Sequence, residues 1–458
     1  MEQLESILTK INSILWGNWL VYVLLALGVL YTFANGFVQL RHFRFIMKKT
    51  LIDSFKSRNV DKGSGSISTF KAMMVTLAGN VGGGNVVGVA TAIVTGGMGA
   101  VFWMWFAAFW GMALKYGEIV LSQLYRGRDR NGNLLSGPMY YIRDGLKMPW
   151  LGVVIAVLMC LKMMGANLVQ SNTISGILNT QYGVPTWLVG VLLIALLMCI
   201  TLGGLKRVAD IATSLVPTMS IFYIIIGILV ILLNINQVPA VFAEIFTEAF
   251  SIKAAAGGTG GFIMAKAMQY GITRGMYSNE AGEGTAPFAH GSSIVGHPCE
   301  EGITGVTEVF LDTIIICTIT ALVVGVTGVY KIDGMNATVM ALTAFGTVWA
   351  PLKHLGAFAL LVFCFTTLMG QWFNAAKSFN YAFGPKVTGK IKYIYPFLCI
   401  IGAIQKISLV WTIQDLAMGL VIIPNMIALI ILFPQVRKQT KDYFSNPKFY
   451  PQAASKKR

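Results

Sequence analysis

Apolar stretches long enough to cross a bilayer recur along this 458-residue chain, and that recurrence limits its fold more than any single motif does. A helix rises about 1.5 Å per residue, so roughly 20 apolar residues cover a hydrocarbon layer of about 30 Å. About eleven such runs are read, near 16–40, 67–94, 100–125, 149–178, 185–202, 209–233, 260–284, 301–328, 354–379, 391–407 and 413–433. With 55% hydrophobic and only 12% charged residues, the expected class is an all-α polytopic membrane protein.

The formal charge of +16 would suit a nucleic-acid binder, but the basic residues sit in short loops between apolar runs. Positive-inside bias explains that placement and excludes nucleic acid as the partner. One set of loops carries Arg41, Arg44, Lys48, Lys49, Lys56, Arg58 and Lys62, then Arg126, Arg128, Arg130, Arg143 and Lys147, then Lys206 and Arg207, and finally the C-terminal tail. The opposite set carries only Lys10, Lys253, Lys331, Lys353 and Lys406. An odd span count with this bias predicts a plasma-membrane protein with its N-terminus outside and its C-terminus in the cytoplasm. The first twenty residues lack a basic region ahead of an apolar one, so the first helix is expected to stay. Six scattered cysteines without CxxC spacing and four unclustered histidines point to no metal centre and no disulfide framework.

Inside the second run lies Gly79-Asn80-Val81-Gly82-Gly83-Gly84-Asn85. Each glycine costs a helix interior about 1 kcal/mol relative to alanine, so the helix is predicted to break here. A broken backbone at membrane depth is tolerated where protein or a wet cavity satisfies its amides and carbonyls. Secondary transporters use such backbone to hold a substrate carboxylate and a coupling cation; a close helix crossing is the plainer alternative. A second interruption, Ser278-Asn279-Glu280-Ala281-Gly282-Glu283-Gly284, divides the seventh run. With the first span set aside, each interruption opens a group of five spans, and an odd number of spans per group gives the two groups opposite orientations. The predicted organisation is an N-terminal helix and basic loop (1–66), a five-helix repeat (67–233), an extracellular linker (234–258), a second five-helix repeat (259–435) and a basic tail (436–458).

These stretches, together with Gly137-Pro138-Met139-Tyr140-Tyr141-Ile142, Gly203-Gly204-Leu205-Lys206-Arg207, Ala286-Pro287 and Phe310-Leu311-Asp312-Thr313, closely resemble the alanine or glycine:cation symporter family. The resemblance covers essentially the whole chain. It implies one extra helix followed by a LeuT-like five-plus-five inverted repeat, importing a small neutral amino acid with Na⁺ and no organic cofactor. The chain departs from the family at Gly83, where threonine is usual, and at Gln371-Trp372-Phe373-Asn374-Ala375-Ala376-Lys377, where a Trp-Ser-Tyr-Tyr-Gly-Glu-like run is usual. The room left at Gly83 keeps glutamine open beside alanine and glycine.

An amino acid needs donors for its carboxylate and acceptors for its ammonium. Amides of Gly82, Gly83 and Gly84, at a half-helix start with a favourable dipole, are candidates for the first. Asn80 and Asn85 are candidate side-chain contacts, with local capping of the broken ends as the alternative. Ser278 in the second break joins this set. The resemblance favours Gln170 as a substrate contact over a simple interhelical hydrogen bond; Trp372, about a turn and a half beyond Thr366 and Thr367, is a candidate pocket wall, with packing or an interface anchor as the commoner role of such a residue. Na⁺ wants hard oxygen ligands. The resemblance implies Ala78 and Val81 carbonyls with Thr366 and Thr367 hydroxyls, although threonines also bond back to their own helix. Glu280 is expected either to serve function or to pair with Arg274 or Lys266, and Glu308 and Asp312 are expected to meet Lys115 or Lys162. A membrane hydrolase lacks a nucleophile beside a base, and the glycines lack a phosphate-loop ending. A passive channel is the rival worth keeping, because broken helices also line pores.

Overall fold

A computed structural model describes residues 2–56, 66–129, 132–250 and 260–453. Arg58, Lys62, Arg130, Lys253 and the last residues of the tail lie outside the described residues. The main helices are α1 (Glu2–Leu15), α2 (Asn18–Ala34), α3 (Thr69–Asn80), α4 (Val89–Gly96), α5 (Gly99–Tyr125), α6 (Pro149–Tyr182), α7 (Thr186–Thr201) and α8 (Gly204–Leu233). They continue with α9 (Val238–Ala249), α10 (Gly260–Asn279), α11 (Ala286–His290), α12 (Pro298–Thr327), α13 (Ala337–Val348), α14 (Ala350–Ile394), α15 (Leu398–Ile404) and α16 (Ile407–Ser445). Among the described residues, six helices are long and apolar enough to cross a membrane, or seven when the bent pair of α3 and the segment Gly84–Gly96 is counted as one span.

The helix pattern departs from the sequence reading at four places. The linker near 234–258 holds α9, and the stretch between the eighth and ninth runs holds α13; both are twelve residues long, too short to register as spans. The polar segment after α5 forms a small hairpin, β1 (Gly127–Arg128) against β2 (Leu134–Leu135), so the protein is not wholly α. The ninth run extends from Ala350 through a kink at Gly384, φ 80°, beyond which Pro385 opens the next helical stretch.

Small residues set the closest approaches. Ala267, Gly271 and Gly275 recur every four residues on α10, and a Cβ on Gly271 would sit 2.8 Å from Trp103 Cβ of α5. Gly370 of α14 lies against α3 so closely that a Cβ there would meet Gly79 Cα at 2.6 Å and the Ala78 carbonyl carbon at 2.9 Å. That crossing seats α14 directly on the first break.

Candidate functional site

The first break falls where the glycines are. Helix α3 ends at Asn80, Val81 is extended (φ −73°, ψ 100°), and the chain resumes after a 51° bend. The Gly82 amide, which would bond the Ala78 carbonyl in an unbroken helix, instead donates to Asn85 Oδ1 at 2.9 Å. The Gly83 amide donates to Gln170 Oε1 of α6 at 3.1 Å. Gly84 packs beneath the Tyr277 ring, where a Cβ would lie 3.0 Å from two ring carbons. In this structure the Gly82 and Gly83 amides are thus partnered within the protein, and Asn85 makes the local capping contact.

Asn85 also ties the two breaks together. Its amide nitrogen donates to Ser278 Oγ at 2.8 Å and to Asp312 Oδ1 at 2.7 Å, while Ser278 Oγ donates to Asp312 Oδ2 at 2.7 Å. Asn80 Nδ2 donates to the Asn279 carbonyl at 3.2 Å, leaving its own Oδ1 buried without a partner. Gln371, unremarked for any role in the sequence, bridges both breaks: its amide donates to Gly79 O at 3.0 Å and to Glu280 Oε1 at 3.0 Å, and its Oε1 is unpartnered. Buried, unsatisfied acceptors beside a broken helix are the groups a cationic ligand would relieve.

The two threonines separate. Thr367 Oγ1 lies 3.1 Å from Val81 O and 3.0 Å from Phe363 O, which joins α14 to the first break. Thr366 Oγ1 instead meets Phe363 O at 2.9 Å and Met219 Sδ at 3.3 Å, facing α8. The two hydroxyls share Phe363 O, and of the two it is Thr367 that reaches the first break.

The second break uses the left-handed backbone of Glu280 (φ 54°), Gly282 (φ 89°) and Gly284 (φ 77°). A non-glycine residue there costs on the order of 1–2 kcal/mol, offset here by the contacts of the Glu280 side chain. Those contacts correct the expected partners. Glu280 pairs with Lys162 of α6, whereas Arg274 pairs with Asp415 at 3.2 Å and lies over the Trp411 ring at 4.6 Å. Lys115 meets Glu308 at 3.3 Å as expected, but among the described residues Asp312 forms no ion pair with a lysine and is held by Asn85, Ser278 and Thr313. His290 stands between Glu301 (2.7 Å) and Glu308 (2.6 Å), a buried charged group that sequence spacing did not reveal.

A cavity of about 610 Å³ reaches Trp372 and Phe373 of α14 and is lined further out by Lys206, Lys377, Lys392 and Asp129. Trp372 is thus a cavity wall; its indole nitrogen is buried and without a partner, and its ring packs 5.1 Å from Tyr395.

Membrane-length helices and two interruptions laced to each other by side chains are the architecture of a membrane-embedded solute transporter. The chain belongs to the sodium:alanine symporter family, which it matches from residue 1 to residue 457. It is 37% identical over 453 residues to a protein of Haemophilus influenzae named as an uncharacterized transporter, covering 97% of each chain. It is 34% identical over 448 residues to the sodium/alanine symporter AgcS of Methanococcus maripaludis, covering 96% of this chain and 97% of that one. It is also 34% identical over 452 residues to the probable sodium/glutamine symporter GlnT of Bacillus subtilis, covering 96% of this chain and 91% of the relative. Among solved structures, a manganese transporter of Eremococcus coleocola superposes with a TM-score of 0.51 at 11% identity, covering 83% of this chain and 80% of that chain, a likeness of fold alone. Family membership makes this a multi-pass membrane protein of Na⁺-coupled amino-acid symport rather than an enzyme, and nothing supports the channel reading.

Proposed function

We propose that the protein imports a small neutral amino acid, alanine, glycine or glutamine, together with Na⁺ by alternating access around the first break. The observation that carries this reading is the pairing of Val81 O with Thr367 and of the Gly83 amide with Gln170 at one interruption. The carboxylate would take the Gly82 and Gly83 amides, displacing the oxygens of Asn85 and Gln170. The substrate ammonium would meet the unpartnered oxygens of Asn80 and Gln371, with Ser278, Gly84 and Trp372 shaping the remainder. Na⁺ would lie between the Ala78 and Val81 carbonyls and the Thr367 hydroxyl; Thr366 has no part in this version of the site.

The one-plus-five-plus-five inverted repeat, with the N-terminus outside, is part of the proposal. The Arg274–Asp415 ion pair closes the side towards Lys406, and the cavity opens among Lys206, Lys377 and Lys392. By charge bias the open side is cytoplasmic, which supports an inward-facing state. The test is uptake by purified protein in liposomes under an imposed Na⁺ gradient, with alanine, glycine and glutamine as competitors. Concentrative uptake that collapses with the gradient is expected; equilibration without concentration would refute symport.

A further inference from the structure

Three carboxyl groups gather at the second break, and two of them share one ammonium. Lys162 reaches Glu280, and reaches Glu283 at 3.0 Å. Glu280 Oε1 also accepts from Gln371, and Glu118 Oε1 accepts from the Gly284 amide at 2.9 Å and from Asn425 Nδ2 at 2.6 Å. Glu283 has only its share of Lys162. The group is closed to solvent, with Glu118, Glu280, Glu283 and Lys162 at most 4% exposed. Glu118 Oε2, Glu280 Oε2, Glu283 Oε1 and the Thr285 hydroxyl have no hydrogen-bond partner. Thr285 lies beside Glu280, and Glu118 and Glu280 act electrostatically on Glu283.

The neighbouring cation, Lys115, acts on Glu118 and Glu280 at longer range but makes its direct contacts elsewhere. Lys115 donates to Asn279 O at 2.8 Å and pairs with Glu308, which with Glu301 flanks His290, so that group closes its own charge when the imidazole is protonated. Fully ionised, the second break would bury two more negative than positive charges, a cost of several kcal/mol per ion that a folded protein avoids by neutralising one. Among the described residues no three carboxylates, thiols or imidazoles are arranged to hold a metal ion.

We propose that the second break is a proton-binding site, with Glu283 as the carboxyl that takes the proton. Glu280 and Glu118 each face two donors; Glu283 faces one shared donor and becomes COOH by taking H⁺ from solvent when the break is exposed. The bound proton is required for the packed conformer seen here. The consequence for uptake rests on the transport reading above; the proton site itself does not.

Two measurements test it. Infrared difference spectroscopy of the purified protein is expected to show a protonated-carboxyl band that Glu283→Gln removes and Glu118→Gln leaves. In liposomes, Na⁺-driven uptake of alanine is expected to fall at alkaline pH in the wild type and to stay flat in Glu283→Gln. Glu283→Asp, which keeps the carboxyl, is expected to retain a shifted dependence. Absence of the band in the wild type, its survival in Glu283→Gln, or the same pH profile in both proteins would overturn the proposal. A band lost on Glu283→Gln in a protein that transports no amino acid would uphold the proton site while refuting the transport reading.

Discussion

Thr367→Val is the sharpest probe of the first break. The Thr367 hydroxyl lies 3.1 Å from Val81 O and 3.0 Å from Phe363 O, yet a hydroxyl has one proton and can donate to only one of them at a time. With Na⁺ bound, the proton would point to Phe363 O and the oxygen lone pairs would face the ion beside Val81 O. Valine keeps the shape and removes that oxygen. Interactions of a hydroxyl with a charged group are worth about 1.5–3 kcal/mol, so the Na⁺ concentration for half-maximal uptake should rise roughly ten- to hundredfold. Thr366→Val is the paired control: its hydroxyl faces Phe363 O and Met219, so the Na⁺ requirement should change by less than about threefold, the effect of a hydrogen bond of roughly 0.5 kcal/mol. Both are read from Na⁺ titrations of initial uptake rates in liposomes at fixed substrate. Equal shifts in the two variants, or none in Thr367→Val, would refute the assignment of the ion to this hydroxyl.

Other perturbations address the neighbouring contacts. Asn80→Ala removes the unpartnered oxygen assigned to the substrate ammonium, and substrate affinity in equilibrium binding should fall by about tenfold, corresponding to one interaction of roughly 1.4 kcal/mol. Gly370→Ala forces a methyl against backbone atoms of Gly79 that cannot move aside, and should lower stability by about 1–3 kcal/mol, read as a drop in the thermal unfolding temperature in detergent. Lys162→Met strips Glu280 and Glu283 of their ammonium and should cost about 3–5 kcal/mol, with much of that loss recovered when Glu280→Gln is added. A double variant no more stable than the single one would show that the pair does not govern the break.

Both interruptions were legible in the sequence, because glycine content and buried amides or carboxylates are local properties that act within a few residues. The first break at Val81–Gly83 falls inside the segment read from composition, and the second, Glu280 to Thr285, overlaps the segment 278–284 and runs one residue past it. The clustering of basic residues was legible as well, but not its secondary structure: Lys206 and Arg207 lie inside α8. The two twelve-residue helices α9 and α13 were not, being shorter than the span length by which the others are recognised.

Partner choice was decided by the fold. Lys162 and Glu280 are 118 residues apart, and Gln371 reaches Gly79 across 292 residues, so no local pattern points from one to the other. Thr366 and Thr367 are chemically identical neighbours, and only the rotation of α14 against α3 turns one toward Val81 and the other toward Met219. Sequence determines where a helix must give way, because backbone propensity is short-ranged. Tertiary packing determines which side chain meets the gap, because one residue's step around a helix is about 100° and a small rotation exchanges one candidate for the next.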